Sequence, residues 1–108
     1  MSNTYKVLGQ VLPAANTATT LYTVPAATST VCSTLVVCNQ GVTTTYRIAI
    51  RPAGVALNTQ NYINYDTTIN GNDSVYLTLG FTLAATDVIT IQAGTANVSF
   101  SLFGTEIA

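Results

Sequence analysis

The chain reads as all-β: a single antiparallel β-sandwich of about eight strands, jelly-roll or immunoglobulin-like, occupying residues 1–108. Three observations predict it. Short segments alternate apolar and polar residues, as in Tyr46-Arg47-Ile48-Ala49-Ile50-Arg51, which is the period of a strand with one face in a core. Turn signals rich in Pro, Gly, Asn and Asp recur roughly every eight to twelve residues. No stretch carries the 3.6-residue period of an amphipathic helix.

The first strand spans Tyr5 to Leu12, with Gly9 inside it marking a bulge or a close backbone approach. Pro13 to Thr17 breaks it, Thr20 to Val24 forms a short second strand, and Pro25 stops that. Thr30 to Arg51 is the segment around which the rest is arranged. Its Leu35-Val36-Val37-Cys38 run reads as a strand covered on both faces. Asn39-Gln40-Gly41 then turns the chain into Thr44 to Arg51, and the two strands read as a hairpin at the centre of a sheet. Val55 to Asn61 has no period and is the longest irregular stretch, a candidate contact loop. Tyr62 to Ile69 alternates weakly, with Ile63, Tyr65, Thr67 and Ile69 on one side. Asn70-Gly71 is a hairpin signal leading to Asp73 to Leu79, with Val75, Leu77 and Leu79 inward and a bend at Gly80. Val88 to Ala93 follows, and Gly94-Thr95 reads as the turn of a last hairpin into Asn97 to Phe103.

Composition narrows the function. Hydrophobic residues make up 48% of the chain and charged residues 6%, against a usual charged share of roughly 25%. The 20 threonines take the place of charge on the outward faces. A surface so poor in lysine and glutamate loses little side-chain freedom when another protein docks on it, and a free monomer of net charge −1 is poorly protected against association. The balance points to a part that works inside an assembly. Lys6, Arg47 and Arg51 against four acidic residues cannot form a phosphate-neutralising patch, which disfavours nucleic acid. No apolar run is long enough to span a membrane, and the first residues lack the apolar stretch of a signal peptide.

Catalytic chemistry finds few carriers. Without histidine there is no Ser-His-Asp or Cys-His arrangement and no His-based metal site. No GxSxG elbow or phosphate-cradling glycine loop is present. Asp73 and Asp87 each follow a turn and open a strand, where a carboxylate accepts backbone N–H bonds. Asn70-Gly71-Asn72-Asp73 is rich in oxygen but short of the six to eight or so ligands calcium takes, so it reads as a turn. Cys32 and Cys38, six residues apart on one strand, lie roughly 20 Å apart and cannot bridge, since a disulfide needs about 7 Å or less. They read as small buried hydrophobes, with an intersubunit bridge as the alternative. No cofactor is expected.

Two binding readings remain. Arg47 and Arg51 share the outward face of one strand about 13 Å apart, either as ordinary solvated strand-edge residues or placed to pair with carboxylates of an adjacent subunit. Tyr62, Tyr65 and Tyr76 flank one turn and could stack on a sugar ring beside Asn61, Asn64 and Asn72, although tyrosine also packs across sheets as an ordinary strand residue.

Three pieces in order carry a resemblance: Leu21-Tyr22-Thr23-Val24-Pro25 leading into Val31 to Asn39; Leu77 to Leu83 leading into Asp87-Val88-Ile89-Thr90-Ile91; and Val98 to Ile107 ending in Gly104-Thr105-Glu106-Ile107. Together they resemble small virion structural proteins of tailed bacteriophages, particularly cyanophages. The resemblance implies a small β-sandwich present in many copies on a head or tail; with the lack of catalytic residues, the expected role is a non-enzymatic head-decoration (cement) or head/tail accessory protein. Its expected partners are further copies of itself and other virion proteins, and its expected location is the virion, assembled in the host cytoplasm. The alternative is a carbohydrate- or receptor-binding module of a tail fibre or baseplate, contacting a host-surface glycan.

Overall fold

The computed structural model describes residues 2–108 apart from the side chain of Leu79, whose expected inward orientation lies outside the described residues. The chain runs through β1 (Asn3–Val11), β2 (Thr19–Thr23), β3 (Ser29–Asn39), β4 (Thr44–Arg51), β5 (Tyr62–Ile69), β6 (Asp73–Leu83), β7 (Val88–Ala93) and β8 (Val98–Ile107). These form two four-stranded sheets, one in the order β1-β8-β3-β6 (sheet A) and the other β2-β7-β4-β5 (sheet B). Every strand pair is antiparallel.

The pairing has one logic. β1 pairs with β8, β2 with β7, β3 with β6 and β4 with β5, as in a single long hairpin, and successive pairs alternate between the sheets. Closure comes from β3·β8 and β4·β7. This is the jelly-roll order, one of the two sandwich topologies the sequence allowed.

That order overturns three expected hairpins. β3 and β4 lie in different sheets, as do β5 and β6, and β7 and β8. The turns at 40–43, 70–72 and 94–97 therefore carry the chain across the core rather than back along its neighbour. Only β4 and β5 are consecutive in sequence and paired, through the long 52–61 connection. The local signals were sound about reversal and silent about partner. A residue that tolerates positive φ, here Asn72 at φ 55°, serves a sheet-to-sheet corner as well as a hairpin. Partner choice instead follows from apolar faces: the inward Leu35 and Val37 of β3 and Tyr46 and Ile48 of β4 are almost wholly buried and belong to one core. Two such strands lie on opposite sides of that core.

The core is built from alternate residues of both inner faces, including Leu35, Val37, Phe100 and Leu102 from sheet A and Tyr46, Ile48, Ile89 and Ile91 from sheet B. Tyr46 and Phe100 meet edge-to-face across it, with centroids 6.3 Å apart and planes at 69°. In β3 only one face is in the core: Val36 and Cys38 are half-buried on the outer side, so the expectation of cover on both faces does not hold. β3 is nonetheless an inner strand, between β8 and β6.

Bulges set the curvature. Register breaks fall between Val7 and Gly9 of β1 and between Cys32 and Thr34 of β3, both against the Leu102–Gly104 stretch of β8. β6 breaks register opposite the same point of β3, next to Gly80 at φ 67°. Aligned bulges bend a sheet locally and increase its twist. Gly104 sits at the bend, where a Cβ would collide with the Val31 carbonyl oxygen. That close approach lets β8 run on to Ile107, past the expected end at Phe103. Gly9 follows the bulged Leu8 and is pressed against the Leu21 carbonyl.

Candidate functional site

Charge is scarce in this chain, so the site is sought first where the charged side chains go. All seven are engaged within the molecule. Lys6 Nζ pairs with Glu106 Oε1 at 2.9 Å. Arg47 grips Asp66 with both forks, Nε to Oδ1 at 2.7 Å and Nη2 to Oδ2 at 3.2 Å. Arg51 donates to the carbonyls of Val55 (2.7 Å) and Gly54 (3.1 Å) and to Thr90 Oγ1 (3.4 Å). Asp73 Oδ1 accepts the Ser74 N–H, and Asp87 accepts the N–H groups of Ala84 and Ala53 at 2.9 Å each. The expected role of these two aspartates as backbone acceptors is what the structure shows.

The two arginines separate into different tasks. Arg51 ties down the 52–61 connection, which folds back over the outer face of sheet B and leaves Ala49 and Thr90 there buried. The stretch read as a candidate contact loop also covers part of its own sheet. Arg47 turns to β5, where it pairs with Asp66 of its own chain.

β5 has two extra residues relative to β4, one between the Tyr46 and Ile48 pairings and one between Ile48 and Ala49. Asp66 takes the left-handed conformation at the first, with φ 51°. The phase of the strand flips there: Ile63 and Tyr65 are exposed while Ile69 is buried, so the expected single stripe of Ile63, Tyr65, Thr67 and Ile69 is broken. The same bulge brings Tyr62 and Tyr65 together edge-to-face at 4.9 Å. The Arg47 guanidinium lies over Tyr65 at 4.1 Å and within 5.9 Å of Tyr62. Hydrogen bonding from Arg47 holds the Asp66 carboxyl below the usual carboxylate range. Tyr76 is not part of this cluster: it stands on β6, in the other sheet. The three tyrosines do not make one platform, and one face of Tyr65 is already occupied by Arg47.

A second polar group spans the two sheets. The Tyr22 hydroxyl of β2 donates to Glu106 Oε2 at 2.5 Å and lies 2.9 Å from Thr30 Oγ1. The Tyr22 bond, followed by Lys6, lowers the Glu106 carboxyl, while burial and then the Glu106 contact push the Tyr22 hydroxyl up to about 12. The network staples β2 to β8 near one end of the sandwich. Among the described residues, no three of His, Cys, Asp and Glu converge as metal ligands. No helix among them is long and apolar enough to cross a membrane.

What sequence reasoning missed is the outer face of sheet A. Residues facing one another across an antiparallel sheet share a side, and the registers give three consecutive outward rows: Tyr5-Thr105-Val31-Thr82, Val7-Phe103-Thr34-Thr78 and Gln10-Ser101-Val36-Tyr76. None contains a charge. Tyr5 is 78% exposed, Tyr76 70% and Val7 48%. Lys6 and Glu106 point to the other side and pair with each other. The only signal in the sequence was the absence of charge at alternate positions of four strands. Recognising those as one surface needed the strand order.

Comparison with protein-family models, curated proteins and solved structures found no match.

Proposed function

We propose that this chain is a non-enzymatic structural protein of a tailed-phage virion, present in many copies and held by surface contact rather than by chemistry. The observation that carries this reading is that every charged side chain is spent inside the fold, while a whole sheet face is left uncharged and open. Interface cores are depleted of lysine, glutamate and aspartate and enriched in aromatic residues, and this face is uncharged and carries Tyr5, Phe103 and Tyr76. The jelly roll suits the role, being an architecture of capsid and lectin domains alike. The resemblance of the Leu21–Asn39, Leu77–Ile91 and Val98–Ile107 segments to small phage virion proteins supplies the virion, with head decoration as the first placement and a neck or tail accessory as the next.

Quantitative mass spectrometry of purified particles tests it. The reading expects a fixed stoichiometry of many copies per particle, retained through density-gradient purification; a chain found only in infected-cell lysate and absent from particles contradicts it.

The carbohydrate-binding alternative has one observation in its favour, the Tyr62–Tyr65–Arg47–Asp66 cluster on sheet B. A glycan array probed with wild type and Tyr65→Ala separates the two. Binding lost in the variant favours the module, and no binding favours the structural part.

A further inference from the structure

We infer that the outer face of sheet A is a self-complementary interface that seats a second copy of this chain face to face. The inference rests on the reading of the protein as a multi-copy structural part and names the surface and partner that reading leaves open.

Charge comes first. A partner bearing carboxylates or ammonium groups would have to bury them against rows that offer no counter-charge, and an unpaired buried charge is strongly unfavourable. A second copy of the same face brings none. Hydrogen bonding points the same way. The rows hold Thr34, Thr78, Thr82, Ser101 and Thr105, and a hydroxyl is both donor and acceptor. A hydroxyl-rich face can therefore satisfy itself in the isologous contact of a two-fold dimer.

The face is also large enough. Four strands about 4.8 Å apart and about nine residues long at about 3.3 Å each give a flat footprint of roughly 570 Å². Side-chain relief raises the accessible area above that, toward the ~800 Å² per partner of a standard stable interface. Tyr5 and Tyr76, the two most exposed aromatic side chains among the described residues, stand on the two edge strands of the sheet, and the half-buried Phe103 and Val36 lie between them. Sheet B is no rival, since its outer face carries the Arg47–Asp66 pair and the 52–61 cover.

Sedimentation equilibrium on wild type, Tyr76→Lys, Val7→Lys and the opposite-face control Ile63→Lys tests this. All three positions are exposed, and circular dichroism with a urea midpoint checks each fold. Thr78→Lys, also exposed, replaces either face variant that fails to fold. The expected result is a wild-type dimer at micromolar concentration, a dissociation constant raised at least about 30-fold by each face variant, and no change for Ile63→Lys. A wild-type monomer at about 100 μM, or a dimer indifferent to the face variants, overturns the inference. If the chain is monomeric yet found in particles, and Tyr76→Lys abolishes its incorporation, the face docks on another virion protein: the second-copy inference fails while the structural reading stands. If the chain dimerises as expected but is absent from particles, the reverse holds.

Discussion

Glu106 stands between two donors of different reach, the Lys6 ammonium at the sheet edge and the Tyr22 hydroxyl from the opposite sheet. Its carboxyl is lowered in the fold, so the stabilisation it brings is present above the ordinary carboxylate range and is lost as pH falls through the folded value. Tyr22 works in the opposite sense: raised to about 12, it supports the fold below its ordinary value near 10, and that support is lost as pH climbs toward 12. Urea midpoints of wild type and Glu106→Gln measured from neutral pH downward should converge in acid, with wild type the more stable at pH 7; a constant gap at all pH values would show that the charge is not what matters. The cysteines give a second test at this scale. Cys32 is fully buried and burial pushes its thiol up to about 11, whereas Cys38 is half-buried on the outer side. In the native protein a thiol reagent should label Cys38 first and leave Cys32 until unfolding, which peptide mapping reads directly. Equal labelling rates would contradict the assigned faces. That the two would not bridge each other was legible from spacing alone, whereas the expectation that both are buried holds for Cys32 and not for Cys38. Their different exposure was not legible, because it depends on the Ser33 bulge that changes the phase of β3 between them.

Among the elements, the corners do the organising. Asn39 ends β3 fully buried, and its amide donates to the carbonyls of Val42 (2.7 Å), Asn70 (3.2 Å) and Ile69 (3.3 Å) while its oxygen accepts the Gly41 N–H at 3.0 Å. One side chain thus fastens the β3–β4 corner to the β5–β6 corner. Asn39→Ala should cost roughly 1–3 kcal/mol, the penalty for buried carbonyls left without a donor, read as a lowered urea midpoint at unchanged slope. Gly104→Ala should cost a similar roughly 1–3 kcal/mol, because its Cβ would be driven into the Val31 backbone at the bend of sheet A; a neutral effect would mean the strands can separate there freely. The strands themselves were plain from alternation, within a few residues at each end. Their partners were not. Asn70-Gly71 and Gly94-Thr95 look like hairpin turns because local chemistry specifies a reversal, and the jelly roll uses the same reversal to change sheets. The bulge at Asp66, which assembles Tyr62, Tyr65 and Arg47, had no local signature beyond a weakened alternation.

For the molecule as a whole, the two sheets have diverged in what they show to the outside. Sheet B is closed off by the 52–61 connection and by the Arg47–Asp66 pair, and sheet A presents uncharged rows between two exposed tyrosines. Low charge was visible in the composition and pointed to an assembly; the two arginines singled out as its seat make contacts within their own chain, and the surface we propose for association lies on the opposite sheet. The tyrosines are well placed to report which side is used. Hydroxyl-radical footprinting of the free and associated protein, quantified at Tyr5, Tyr76 and Tyr65, measures this without altering the chain. Tyr5 and Tyr76 are predicted to be protected on association while Tyr65 stays as reactive as in the free protein; protection of Tyr65 with Tyr5 and Tyr76 unchanged would contradict the assignment of sheet A as the surface through which this protein works.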